Sequence, residues 1–209
     1  MNPRIELKNI DCMEYLATCE DNAFELAIVD PPYGIGNFIP QSGKRRGGNF
    51  DEVTWNNNVP EDKFFKEIKR TSENYIIWGA NYYNCFDKKG GAIIWDKNQM
   101  NPKLSRCEIA AHSFYKKIDY VNITCNGIQG DDGKRIHPCQ KPVKLYEWLL
   151  MNYAKEGDRI LDTHLGSGSI AIACHNLGFD LVGCELDTDY FNAAQKRLKQ
   201  HQAQLRIPC

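Results

Sequence analysis

The chain is poor in the features that would place it in a membrane or an oxidising compartment. No apolar run approaches the roughly 20 residues that cross a bilayer. The start, Met1-Asn-Pro-Arg-Ile-Glu-Leu7, has no apolar stretch of the kind a secretory leader carries. Nine cysteines are an odd number, and no Cys-x-x-Cys occurs, so neither a disulfide framework nor a zinc-ribbon spacing is present. Cys12, Cys85, Cys107, Cys174 and Cys184 stand among apolar residues, as small reduced core side chains do. A cytoplasmic protein without membrane contact or bound metal is the expectation. Charge of one sign is also missing. The net charge of −1 means that a nucleic-acid partner must be met by a local basic patch. There is no internal repeat and no low-complexity tract. With 209 residues and 42% hydrophobic content, one globular domain spanning 1–209 is expected.

What is present begins with Asp30-Pro31-Pro32-Tyr33. The run Phe24 to Val29 before it reads as a buried strand, so an acid and two prolines mark the strand's exit. Proline fixes φ and lacks an N–H, and Pro32 restricts Pro31 to extended geometry. The resulting stiff turn holds a carboxylate, a carbonyl and an aromatic ring together. Two acceptors beside a ring face suit a planar group with an exocyclic NH2, and a nucleobase is such a group. A proline turn with a solvated Asp is the plainer alternative.

The remaining elements alternate between strand and helix. Strands are expected at 5–11, 75–78, 92–95, 120–125, 159–162 and 180–185, with 107–114 readable as strand or helix. Helices are expected at 13–18, 61–70, 143–153, 169–177 and 188–202, with Phe64, Phe65 and Ile68 as the apolar face of the second. This order gives an α/β fold with a mainly parallel sheet and helices on both faces. Residues 34–55 and 126–135 show no period and read as loops.

Late in the chain, Asp162-Thr-His-Leu-Gly166-Ser167-Gly168-Ser169 lies between a strand and a helix. Glycines there let the backbone approach a ligand, and a helix start offers N–H groups to an anion. Glu185 ends the next strand, where an acid can hold ribose hydroxyls. A tight turn explains the glycines alone equally well; loop, helix and acid together point to an adenosine-containing cofactor. No third glycine completes G-x-G-x-x-G, which argues against a nicotinamide dinucleotide.

Asp30-Pro-Pro-Tyr33, Gly166-Ser-Gly168 and, between them, His137-Pro-Cys-Gln140-Lys141-Pro142 together resemble the DNA amino-methyltransferases. These are adenine-N6 and cytosine-N4 enzymes, and the motif order is similar to their permuted beta group. Asn9-Ile-Asp11-Cys12 is similar to that family's short acidic motif. The resemblance implies a Rossmann-like fold with a seven-stranded, mainly parallel sheet ending in a reversed hairpin. It also implies S-adenosylmethionine as cofactor, double-stranded DNA as substrate and a bacterial or phage-encoded origin. Asp30 and the Pro31 carbonyl, held by Pro32, would accept from the amine of a flipped-out base on which Tyr33 stacks. Transfer would be direct and in line, without a covalent intermediate. Gly166, Ser167 and Gly168 would face the cofactor's methionine part, with Ser169 nearby, and Asp162 and Leu165 would also belong to the cofactor site. Glu185 would take its ribose and Asp11 with Cys12 its adenine end, and Lys141 would sit near its carboxylate. A solvated lysine beside a helix-starting proline is the alternative for Lys141.

Two departures stand out. Thr163-His164 replaces the family's usual Pro-Phe, and Ser169 its usual Thr. His164 reads as a packing or gating residue, and Cys139, although set in Pro-Cys-Gln, as a bystander. Lys44, Arg45 and Arg46 are the expected phosphate contacts, with Lys116-Lys117 and Lys134-Arg135 as weaker ones. A small target-recognition region would fall within about 34–136. The resemblance leaves room for a homodimer and for a cognate restriction endonuclease. Adenine-N6 is the leading acceptor and cytosine-N4 the alternative. RNA adenine, a protein glutamine amide, and an inactive nucleic-acid-binding module are more distant readings.

Overall fold

The computed structural model describes residues 3–36, 55–83, 85–86, 88, 90–102, 104–125 and 135–204. Lys44, Arg45, Arg46 and Lys134 lie outside them. Among the described residues, eight strands form one sheet. They are β1 (Ile5–Asn9), β2 (Phe24–Val29), β3 (Ser72–Trp78), β4 (Gly91–Asp96), β5 (Cys107–His112), β6 (Ile118–Asn122), β7 (Arg159–Asp162) and β8 (Asp180–Glu185). The described residues also form five helices: α1 (Cys12–Leu16), α2 (Asp62–Thr71), α3 (Val143–Tyr153), α4 (Ser169–Leu177) and α5 (Thr188–Gln202).

The strand order is β1-β8-β7-β2-β3-β5-β4-β6, parallel throughout except for β5, which runs against both β3 and β4. The expected count of seven is therefore exceeded by one. The reversed hairpin β4–β5 is present, but β6 lies parallel along the outer side of β4 and becomes the edge. Val121 is buried, and the ring N–H of Trp95 donates to the Ile123 carbonyl at 2.9 Å, which fastens this added strand. The segment 107–114, open between strand and helix in the sequence, is a strand because its backbone pairs on both sides.

Alternation in β2 shows why both faces are covered. Leu26 and Ile28 pack with Leu145 and Leu149 of α3 and with α4. Ala27 and Val29 face Leu16 of α1 and Phe64 and Ile68 of α2. A side chain as buried as Ile68 contributes about 1.5–3 kcal/mol. Trp78 and Trp95 are both buried in the core, edge to face.

Chain direction decides where chemistry can sit. The C-terminal ends of β1, β8, β7, β2, β3 and β4 all open on one edge of the sheet. Because β5 is reversed, its N-terminal end, with Cys107 and Glu108, opens there too. Neighbouring β7 and β2 lead to opposite halves of the sheet, the position where ligand crevices form in such folds.

Candidate active site

A cavity of about 840 Å³ occupies that edge. Asp30, Pro31, Pro32 and Tyr33 line it, together with Asp11, Cys12, Lys141, Leu165, Gly166, Ser167 and Glu185. Residues distant in sequence thus share one space, as the motifs suggested. Asp162, Gly168 and Ser169 lie behind this wall. Asp162 accepts the His164 backbone N–H at 2.9 Å, and Ser169 shares a hydroxyl hydrogen bond with Ser167 at 3.1 Å. Their place is support for the lining turn.

The Asp30 turn is braced from three sides. The Tyr83 hydroxyl donates to the Pro31 carbonyl at 2.7 Å and to the Pro32 carbonyl at 2.8 Å. The Tyr33 N–H donates to the Asn56 side-chain carbonyl at 2.9 Å. Gly79, just beyond β3, has φ +76°, and a Cβ there would stand 2.3 Å from Cε1 of Tyr33. Only glycine lets that ring lie against the backbone. The ring stacks on Tyr82, with centroids 4.9 Å apart, and its hydroxyl donates to Asp30 Oδ1 at 2.6 Å. The expected stacking face of Tyr33 thus carries another tyrosine, itself partly exposed to the cavity.

Lys141 is not solvated: 4% of its side chain is exposed. The resemblance put it near a cofactor carboxylate; in the structure its ammonium is held by protein carboxylates. It pairs with Asp30 Oδ2, lies 3.2 Å from Glu108 Oε2 and donates to the Tyr33 hydroxyl at 3.2 Å. A buried cation is stable only when paired, and these two partly buried carboxylates pair it. Burial pushes the Asp30 carboxyl up; Lys141 draws it back, and Glu108 pushes it up again, leaving it raised. Burial would lower Lys141, but Asp30 and Glu108 outweigh it and hold the ammonium charged. Burial also opposes the charge of Glu108, yet Lys141 and Lys97 prevail and hold it at about 2.

The other half of the cavity is a glycine turn. Gly166 and Gly168 take φ +51° and +70° between β7 and α4. The Gly166 N–H donates to Glu185 Oε2 at 2.8 Å, which ties the turn to the end of β8. Glu185 Oε1 accepts the Asp187 N–H at 2.9 Å, and burial raises the carboxyl. Asp11 caps α1 by accepting the Met13 N–H at 2.7 Å. Cys12 is a sheltered thiol pushed up to about 12 by burial and then by Asp11. A bare backbone turn with acids at two neighbouring strand ends fits an adenosine-containing cofactor.

His164 packs edge-on against Phe64, and burial lowers it to about 4, so the ring is neutral, as a packing residue is. Cys139 lines the cavity, but burial and then Asp30 push its thiol up to about 11, far from a thiolate nucleophile at neutral pH. His137 stacks on Trp55 and meets Tyr190 edge-on at the cavity wall, and burial lowers it to about 3.

Sequence reasoning missed Asn56, Lys97 and Glu108 as parts of the site. Gly79, Asn81 and Tyr82, which follow β3, also line the cavity. Glu108 carried no signal beyond its place in an apolar run.

A family model described as DNA methylase, for the N6/N4 amino-methyltransferases, matches residues 53–196. Type II methyltransferase M.HinfI of Haemophilus influenzae is 25% identical over 240 residues, covering 91% of this chain and 67% of that protein. Type II methyltransferase M2.DpnII of Streptococcus pneumoniae is 26% identical, covering 92% and 89%. Among solved structures, the M1.HpyAVI–SAM complex superposes with a TM-score of 0.60 at 20% identity, covering 93% of this chain and 98% of that one. The cytosine-N4-specific PvuII DNA methyltransferase gives 0.65 at 11% identity, covering 97% and 91%. The Asp30 turn and the glycine turn in one cavity, joined by a family match over most of the chain, make this protein a member of the N6/N4 DNA methylases, with S-adenosylmethionine as its cofactor.

Proposed function

We propose that this chain transfers a methyl group to the N6 amine of an adenine flipped out of double-stranded DNA. The observation that carries the reading is the pairing of the Asp30 carboxylate and the Pro31 carbonyl on one stiff turn, in the same cavity as the glycine turn. Asp30 at the head of that turn supports adenine over cytosine-N4.

Gly166, Ser167 and Leu165 would hold the methionine part of S-adenosylmethionine, with Gly168, Ser169 and Asp162 supporting them. Glu185 would hold the ribose, and Asp11 with Cys12 the adenine end. When bound there, S-adenosylmethionine supplies an electrophilic methyl on a sulfonium. Asp30 and the Pro31 carbonyl would accept the two amine protons and so orient the nitrogen lone pair. The carboxylate also opposes the positive charge that develops on nitrogen and can take the proton released. Tyr83 keeps the Pro31 carbonyl aimed, and Tyr33 with Tyr82 offers ring surface for the base. Cys139 takes no part.

Lys44, Arg45 and Arg46 would contact DNA phosphates, and recognition would fall to segments within 34–136 of the single domain. The type II relatives support a cognate restriction endonuclease as a partner. Unmethylated DNA incubated with methyl-labelled S-adenosylmethionine, then digested to nucleosides, tests the reading. Label on adenine N6 is the expected result. Label on cytosine N4 would correct the base, and label on RNA or protein but never on DNA would overturn the proposal.

A further inference from the structure

Glu108 belongs to no motif of the sequence, yet it reaches the Asp30 turn from across the sheet. It does so because β5 alone is reversed, which brings the strand's N-terminal end to the cavity edge. Its Oε2 lies 3.2 Å from the Lys141 ammonium and accepts from the Tyr33 hydroxyl at 3.2 Å. Its Oε1 accepts from the Lys97 ammonium at 3.0 Å. The two donors that Glu108 shares, Lys141 and the Tyr33 hydroxyl, are the same two that bind Asp30.

An ammonium has three protons, and Lys141 has three partners: Asp30, Glu108 and the Tyr33 oxygen. Were Asp30 the sole anion beside it, Lys141 would compete with an incoming amine for the Asp30 lone pairs. A second carboxylate lets the ammonium stay buried and paired while Asp30 engages the amine. Lys97, anchored on the far oxygen, holds Glu108 in place for this. We propose that Glu108 is a positioning residue for methyl transfer: it shares Lys141 and the Tyr33 hydroxyl with Asp30, keeping the acceptor carboxylate available to the target amine. The inference rests on the proposed role of Asp30 as the amine acceptor.

The charge of Glu108 has a second, opposite effect that makes the role measurable. Groups facing Asp30 are Lys141 and Cys139 from the segment before α3, Tyr146 of α3, Glu108 of β5, Asp162 of β7, Tyr83 after β3, and Tyr33 of its own turn. Glu108 opposes ionisation of Asp30, so removing its charge lets Asp30 ionise at lower pH. In Glu108→Gln, kcat is expected to fall about tenfold with KM for S-adenosylmethionine unchanged. The acid limb of the pH–kcat profile is expected to move down by about one pH unit. Lys97→Met removes a positive charge from the far side of Glu108 and is expected to move the limb the other way. Because Lys97 lines the cavity outside both hydrophobic clusters, this variant also covers the case in which Glu108→Gln does not fold.

A tenfold loss with both limbs in the wild-type position would mean ordinary structural damage and would overturn the role, as would unchanged kcat in both variants. Asp30→Asn, assayed alongside, separates the two levels. If it keeps full activity, the acceptor reading itself is wrong; if it is inactive while the limbs stay put, only the role of Glu108 fails.

Discussion

Replacing Gly79 by alanine is expected to lower methyl transfer at least about a hundredfold while leaving cofactor affinity near wild type. The reason is local and severe. The added Cβ would stand 2.3 Å from Cε1 and 2.6 Å from Cδ1 of Tyr33, distances that no packed carbon tolerates. The Tyr33 ring must move, and with it the hydroxyl hydrogen bond to Asp30 Oδ1 and the stack on Tyr82. A displacement on the order of 1 Å at a positioning group costs roughly a hundredfold in rate. Backbone strain adds to this, since φ +76° costs an L-residue about 1–2 kcal/mol. Gly178→Ala provides the control. It imposes the same strain at φ +82° with nothing within 4 Å, far from Tyr33, and is expected to lower Tm without touching the rate of the folded enzyme. Single-turnover transfer, with cofactor binding measured by calorimetry, checks both variants.

Gly168→Val is expected to produce the complementary defect, weakening cofactor binding by about a hundredfold. Gly168 holds φ +70° as the N-cap of α4, and its Cβ would press on Ala194 of α5 at 3.1 Å. A β-branched residue is a genuine outlier at positive φ. The combined strain of roughly 3 kcal/mol corresponds to about two orders of magnitude in affinity if the turn yields and the fold persists. The turn has little freedom to yield elsewhere: Arg197 donates to the Ser167 carbonyl at 2.9 Å and to the Ser169 hydroxyl at 2.9 Å, and Glu185 holds Gly166. Direct titration with S-adenosylmethionine checks the affinity. Rates at saturating cofactor are expected to recover substantially, because the Asp30 turn lies across the cavity. The two glycine variants thus separate the acceptor half from the cofactor half.

The site was legible in the sequence wherever chemistry is written in consecutive residues. Asp30-Pro-Pro-Tyr33 and Gly166-Ser-Gly168 each carry their backbone geometry in their own residue types, so proline rigidity and glycine freedom could be read directly. The helices 143–153, 169–177 and 188–202 were equally plain, since each joins apolar residues over a helical length to a stop or start residue. What could not be read depends on contacts between distant segments. Tyr83 reaches the Pro31 carbonyl across 52 positions, and nothing in its neighbours' identity announces this. Glu108 arrives only because one strand is reversed, a fact of sheet order. The strand β6, expected at 120–125 and found at Ile118–Asn122, was legible as a strand, but its start and its place outside β4 were not. As an edge it buries little beyond Val121, leaving Ile118 and Tyr120 exposed, so its hydrophobic pattern is weak. Lys141 shows the limit of motif reasoning most clearly. Its motif pointed towards a cofactor carboxylate, whereas its buried ammonium lies with two partly buried carboxylates, Asp30 and Glu108.

The measurement to make first is transfer of a labelled methyl group from S-adenosylmethionine to unmethylated DNA in a single turnover, by wild type and by Asp30→Asn. Asparagine keeps the shape of the turn, and Glu108 remains as a partner for Lys141, so the variant should fold and bind cofactor. It removes the charge that opposes the developing cation and presents an NH2 where an acceptor is needed. The expected result is labelled DNA with wild type and a loss of at least about a hundredfold with Asp30→Asn at unchanged cofactor affinity. Equal transfer by both proteins would contradict the assignment of Asp30 as the acceptor for the target amine.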